Sequence, residues 1–223
     1  MNTSYLSLLI QRQAQKYGER VALKYRDYAT SMWIPVSWNQ FSEKVSKVSR
    51  ALVALGVQAQ ENIGVFSQNK PECLYTDFGA FGVRAVTVPL YATSSEAQVH
   101  YILQDAAIRF LFVGEQYQYD VASRVQNLCH TLKRIIVFDS SVKLAPGDTN
   151  SLYYEDFLAL GDNMELQQQV DKLTAESSPQ DLANILYTSG TTGESKGVML
   201  HHSCYEAAFK AHHGRLTTLG KQD

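Results

Sequence analysis

Cysteine is scarce in this 223-residue chain. The three present, Cys73, Cys129 and Cys204, are far apart and show no C-x-x-C spacing. That excludes a disulfide framework and a zinc knuckle, and leaves reduced thiols in a cytosolic protein as the plain reading. An excess of one charge is also missing: 20 Lys+Arg stand against 22 Asp+Glu, a formal net charge of -2. Such a balance gives no electrostatic reason to expect nucleic acid as a partner. Long hydrophobic runs are lacking too. Nothing approaches the ~20 apolar residues of a membrane span, and Met1 to Ile10 has no basic n-region of a signal peptide. A cytoplasmic location follows, with peripheral membrane contact left open. There is no internal repeat and no low-complexity segment. What is present, 45% hydrophobic and 19% charged residues, can form a sizeable core and is not a disordered composition. The length suits one large domain or two small ones.

Periodicity predicts a helix from Ser4 to Tyr17, with Gly18 as its C′ residue. Strands are expected at Val21 to Tyr25 and Trp33 to Val36. Ser37-Trp38-Asn39-Gln40 fits a capping box, opening a helix that carries Phe41, Val45, Val48, Leu52 and Leu55 on one face and stops at Gly56. Ile63 to Phe66 reads as a strand, and Pro71 as the first turn of a helix reaching Phe81. A strand at Ala85 to Pro89 precedes a second capping box, Ser95-Glu96-Ala97-Gln98, and its helix. Ile108 to Val113 and Arg134 to Phe138 read as strands around a helix at Tyr117 to Leu128. Ser140 to Asn150 reads as a loop, and Tyr153 to Leu160 as a short helix. The fold class is therefore α/β. Alternating βαβ units form a mostly parallel sheet with helices on both faces, joined by right-handed crossovers. Asn163 to Ser178 is polar and poorly periodic, so a subdomain boundary is expected there, dividing residues 1–178 from 179–223. A strand at Ala183 to Thr188, a short strand at Gly197 to Leu200 and a helix at His202 to His213 complete the chain.

The strongest chemical signal is Tyr187-Thr188-Ser189-Gly190-Thr191-Thr192-Gly193-Glu194-Ser195-Lys196-Gly197. Glycines allow close backbone approach to a ligand, and successive N–H groups in such turns form anion-binding concavities. Hydroxyls add neutral donors, and Lys196 adds a charge suited to phosphate. The stretch is not a Walker A loop: two residues separate Gly193 from Lys196, and glycine follows the lysine. The dinucleotide fingerprint G-x-G-x-x-G fails on spacing. A plain Gly/Ser/Thr connection between strands is the competing structural reading.

Tyr187 to Gly193 followed by Lys196-Gly197-Val198 resembles the signature loop of the adenylate-forming (AMP-binding) superfamily. That superfamily contains acyl-CoA synthetases, nonribosomal peptide adenylation domains and luciferases. Val88-Pro89-Leu90-Tyr91-Ala92-Thr93-Ser94-Ser95 resembles the V-P-L-Y-x-T-S-S segment of long-chain fatty acyl-CoA synthetases. Leu200-His201-His202 resembles the family's L-S/T-H, with His201 in the hydroxyl position. Two departures stand out. Ser195 occupies the place of the usual proline before the lysine, and the chain stops at Asp223. The family's Y-G-x-T-E and Y-x-T-G-D segments and its late catalytic lysine lie beyond that point. The chain is thus expected to be an N-terminal fragment, inactive alone, with no catalytic residue of its own.

The resemblance implies ATP-dependent activation of a fatty acid to an acyl-adenylate and then to acyl-CoA, with release of pyrophosphate and AMP. It implies ATP and coenzyme A as co-substrates, and magnesium bridging the phosphates through a carboxylate ligand that lies downstream. Ser189, Gly190, Thr191, Thr192 and Gly193 would wrap the β- and γ-phosphates, with Thr188 at the loop entry and Lys196 on the departing pyrophosphate. His202 matches a family histidine near the acyl pocket. Two alternatives stay open: a related enzyme activating an aryl or amino acid, and a truncated nucleotide-binding module without catalysis. His201 and Cys204 could share a helix face, but a metal role is not expected; His212-His213 lies roughly 15 Å further along one helix. Tyr187 reads as a packing residue. Arg84 and the Lys44/Lys47/Arg50 stripe read as solvated surface.

Overall fold

Two capping boxes fix the starts of the helices that frame the sheet. The Ser37 hydroxyl accepts from the Gln40 backbone N–H while the Gln40 side chain accepts from the Ser37 N–H, and Ser95 and Gln98 repeat the arrangement. The computed structural model describes residues 5–27, 30–188 and 195–215. In chain order these form α1 (Tyr5–Tyr17), β1 (Val21–Asp27), β2 (Met32–Ser37), α2 (Trp38–Ala54), β3 (Asn62–Phe66), α3 (Pro71–Gly82), β4 (Val86–Leu90), α4 (Glu96–Asp105) and β5 (Phe110–Val113). They continue with α5 (Gln116–Gln126), β6 (Arg134–Val137), β7 (Ser151–Tyr153), α6 (Tyr154–Leu160), a 3-10 turn (Met164–Leu166), α7 (Gln167–Ala175), β8 (Leu182–Thr188), β9 (Lys196–His201) and α8 (His202–Arg215). Gly18 and Gly56 follow their helices with positive φ, as their positions in the sequence require.

β1 and β2 pair as a separate antiparallel ribbon. The other strands form one sheet in the order β7-β6-β5-β3-β4-β8-β9. All its neighbours are parallel except the last pair, β8 and β9, which is antiparallel. The expected mostly parallel α/β sheet is what the chain forms. Alternation along the strands feeds two cores. Ile63, Val65, Phe110, Phe112 and Ile136 face one core, with residues of α2, α3 and α6. Phe66, Val88, Leu111, Val113, Ile135 and Val137 face the other, with residues of α4 and α5. Burying both faces is why these strands read as continuous apolar runs.

Three expectations need correcting. The Lys44/Lys47/Arg50 stripe is not solvated throughout. Arg50 is buried, donating from Nε to the Gly161 carbonyl at 2.6 Å and from Nη1 to Gln167 Oε1 at 2.8 Å. Lys47 pairs with Asp162 at 2.6 Å, and only Lys44 stays exposed. Arg84 grips Asp181 with two donors, at 2.9 and 3.3 Å, from a backbone at φ 61. Third, the polar stretch after Asn163 contains α7, which buries Val170 and Thr174. A nine-residue helix with only two buried positions leaves too little periodicity to read.

Beneath β4 and β8 runs a polar line. Asn184 donates from Nδ2 to Thr87 Oγ1 at 2.5 Å, and the Tyr205 hydroxyl donates to Asn184 Oδ1 at 2.6 Å. Asp77 of α3 abuts it: burial pushes its carboxyl up to about 6, only partly offset by a hydrogen bond with Thr87. The folded state therefore holds this proton at pH values where the unfolded chain has released it. Stability from this group is complete below the ordinary value of 3.8 and is lost as pH rises through about 6. Asp77→Asn should raise stability at pH 8 by about 1–2 kcal/mol, discounted for partial exposure, and change little at pH 4. Thermal melts of both proteins at the two pH values check this, and an equal difference at both would contradict it.

Candidate functional site

β8 is a strand because Ala183, Asn184, Ile185 and Tyr187 are buried while Thr188, at its end, is exposed. β9 returns antiparallel with Thr188 opposite Lys196. Directly opposed residues share a face, with Cβ atoms about 5 Å apart. The two residues, both exposed, thus stand together at the base of the connection. Ser189, Gly190, Thr191, Thr192 and Gly193 form most of that connection and lie outside the described residues.

The hairpin is held from below by α4. The Tyr101 hydroxyl donates to the carbonyl of Ser195 at 3.0 Å. The Tyr187 hydroxyl donates to the Asp105 carboxylate, and the Tyr101 and Tyr187 rings meet edge to face at 6.3 Å. Burial, and next the hydrogen bond to Asp105, push the Tyr187 hydroxyl well up from its ordinary value, which keeps it a neutral donor. Tyr187 is the packing residue its sequence position suggests. Gly197 has a packing reason as well: a Cβ there would lie 2.9 Å from Ile185 Cγ2 and 3.2 Å from Tyr187 Cζ. Among the motif's glycines, this one makes room for a ring in its own hairpin.

Beside the hairpin, β4 runs parallel to β8. β4 and β8 share a single registered pair, Thr87 with Asn184. Pro89, two residues on, has no N–H to give to a ladder and is exposed although its strand lies between two others. Carrying the parallel register forward places Tyr91, 73% exposed, level with Thr188. The two motif segments, Val88 to Ser95 and Tyr187 to Gly197, therefore end side by side at the carboxyl edge of neighbouring strands.

Ligands of doubly wound sheets usually enter where the strand order reverses, here between β3 and β5. That crevice is filled. Gln68 Nε2 donates to Glu115 Oε2 at 3.0 Å, and Lys70 reaches Glu115 at 3.4 Å and Asp139 at 3.8 Å. A Cβ on Gly114 would lie 2.5 Å from Ser67 Oγ. The two motif segments end instead where β4 adjoins β8.

His202 is elsewhere. It opens α8, at the end where Leu182 pairs with His201, about 20 Å along β8 from Thr188. The structure does not bring it to Thr188 and Lys196. Its ring is fully buried and meets Phe81 edge to face at 5.2 Å. Burial lowers it to about 4, so it is neutral at physiological pH. His201 ends β9 and contacts the Gln180 carbonyl at 2.6 Å, so it shares no helix face with Cys204.

Known proteins match this arrangement of sheet and hairpin. Residues 10–222 match the family described as AMP-binding enzyme. The chain belongs to the AMP-binding enzyme family. It is 29% identical over 194 residues to the long-chain-fatty-acid–CoA ligase ACSBG2 of Xenopus laevis, covering 87% of this chain and 26% of that protein. It is 32% identical over 174 residues to fatty acyl-CoA synthetase A of Dictyostelium discoideum, covering 75% and 25%. It thus spans about a quarter of the length of these curated relatives. Among solved structures, the anthranilate CoA ligase AuaEII in complex with anthranoyl-AMP superposes with a TM-score of 0.77 at 22% identity, over 92% of this chain and 36% of that one. A long-chain-fatty-acid-CoA ligase from Archaeoglobus fulgidus gives 0.68 at 23% identity, over 93% and 38%. At those identities the likeness is one of fold.

The sequence names Thr188 and Lys196 as candidates; the structure adds Tyr101 and Asp105 as residues that contact their hairpin. A signal was available. The two are four residues apart on a capped helix, hence on one face, and that face differs from the buried one made by Val99, Ile102 and Leu103.

Proposed function

We propose that the β8–β9 connection holds the phosphates of ATP and that the whole protein activates a fatty acid, first to an acyl-adenylate and then to acyl-CoA. The assigned contacts are Thr188, Ser189, Gly190, Thr191, Thr192, Gly193 and Lys196. The observation carrying this reading is the pairing of Thr188 with Lys196 across the base of a glycine-rich loop. A neutral donor and a cation at one mouth suit a polyphosphate chain. The carboxylate attacks the α-phosphorus and pyrophosphate departs. The thiol of coenzyme A then attacks the acyl carbonyl and AMP departs. Charge accumulates on the leaving pyrophosphate, where Lys196 and the loop donors stabilise it. The names of the similar curated proteins support a fatty acid as the carboxylate.

The family also implies magnesium. Among the described residues there is no group of three or more His, Cys, Asp and Glu side chains that could hold a metal ion, and no step is routed through the ion. His202 is left out of the assignment, its ring being closed in under Phe81. Among the described residues no helix is long and apolar enough to cross a membrane.

Exchange of labelled pyrophosphate into ATP by the whole protein tests the reading. Exchange should be at least about tenfold faster with a long-chain fatty acid than with an aryl acid. Exchange only with aryl or amino acids would move the substrate class, and no exchange with any carboxylate would overturn the function.

A further inference from the structure

We infer that Tyr101 is a positioning residue for Lys196, acting through the Ser195 carbonyl, and that Asp105 supports it by fixing Tyr187. The inference rests on the phosphate-binding reading and names how the lysine arm of that loop is held. Three contacts converge on the hairpin from one face of α4. The Tyr101 hydroxyl donates to Ser195 O at 3.0 Å, one peptide before the lysine. The Tyr101 ring packs edge to face on Tyr187, one residue before Thr188. The Tyr187 hydroxyl donates to Asp105. Both arms of the loop are therefore tied to the same turn of one helix. α4 is itself anchored, by its Ser95 capping box and by Arg124 of α5, whose Nε lies 2.7 Å from Glu96.

The arm needs this tie because its own chemistry does not supply one. Ser195 leaves the backbone before Lys196 freer than a proline would. Lys196 and Gly197 are exposed on a strand that, among the described residues, pairs on one side only. A hydrogen bond to the intervening carbonyl restricts the peptide that sets where the lysine departs from the backbone. Tyr101 touches no phosphate in this scheme; it limits the directions in which the ammonium can point.

Tyr101→Phe removes the hydroxyl and keeps the ring. In the 223-residue chain, amide exchange followed by mass spectrometry should accelerate about 3- to 10-fold in the peptide spanning 195–201, the loss of one net hydrogen bond. Exchange in β3 and β5 should be unchanged, which also verifies folding. Affinity for tripolyphosphate, by calorimetry, should fall several-fold in Tyr101→Phe and further in Lys196→Ala, with no change in melting temperature beyond that of a surface variant. Asp105→Asn, which keeps an acceptor, should restore near-normal exchange where Asp105→Ala does not. An unchanged exchange profile in Tyr101→Phe overturns the positioning role whatever the binding result. Failure of the unaltered chain to bind tripolyphosphate, with the exchange response intact, overturns the phosphate reading while leaving α4 as the brace of the hairpin.

Discussion

Lys196→Ala in the whole enzyme should slow acyl-adenylate formation by about 100-fold, the usual cost of removing one fixed donor from a charge-accumulating transition state. Thioester formation from a supplied acyl-adenylate should change by no more than about twofold, because no pyrophosphate leaves in that step. On the proposed reading Lys196, opposite Thr188 at the loop base, meets the leaving pyrophosphate and not the acyl carbonyl. Stopped-flow measurement of the two half-reactions gives the answer, and equal slowing of both would remove Lys196 from the leaving-group role. Lys196→Arg should recover some of the rate, since it keeps the charge while changing its reach and its fork of donors.

Gly161→Ala should destabilise the fold by about 3 kcal/mol, the upper end of the usual range for forcing atoms into a packed interior. Gly161 closes α6 at an ordinary negative φ, so backbone conformation is not the issue. Space is: a Cβ there would sit 2.2 Å from the Lys47 carbonyl oxygen and 3.2 Å from the Ala51 nitrogen. Those are backbone atoms of α2 and cannot rotate away. Any shift of α6 would also pull the Gly161 carbonyl from the buried Arg50 guanidinium that donates to it, leaving Gln167 as its remaining acceptor. For a chain of this size the melting temperature should drop by roughly 10 °C. A thermal melt reads this directly, and a drop within about 1 °C would mean that α2 and α6 can move apart at little cost.

The α/β class and most element positions could be read in advance because both sheet faces are buried and the capping boxes are local. Ser37, Gln40, Ser95 and Gln98 announce helix starts whatever surrounds them. What could not be read depends on partners distant in sequence. Arg50 has the side chain of a surface residue, and only the arrival of Gly161 and Gln167, more than a hundred residues later, buries it. β7 is three residues long, and its strand identity lies in its pairing with β6. The candidate site divides in the same way. Thr188 and Lys196 belong to a contiguous motif and were legible. Tyr101 lies 94 positions from the carbonyl it binds, and only the docking of α4 beside the hairpin reveals its role.

The proline in β4 has a consequence for the strand that carries it. Pro89 has no amide hydrogen, so this stretch of β4 is one backbone donor short before any neighbour is in place. On the proposed reading, with phosphates bound beside this edge, the missing donor is one backbone bond fewer for an arriving ligand to compete with.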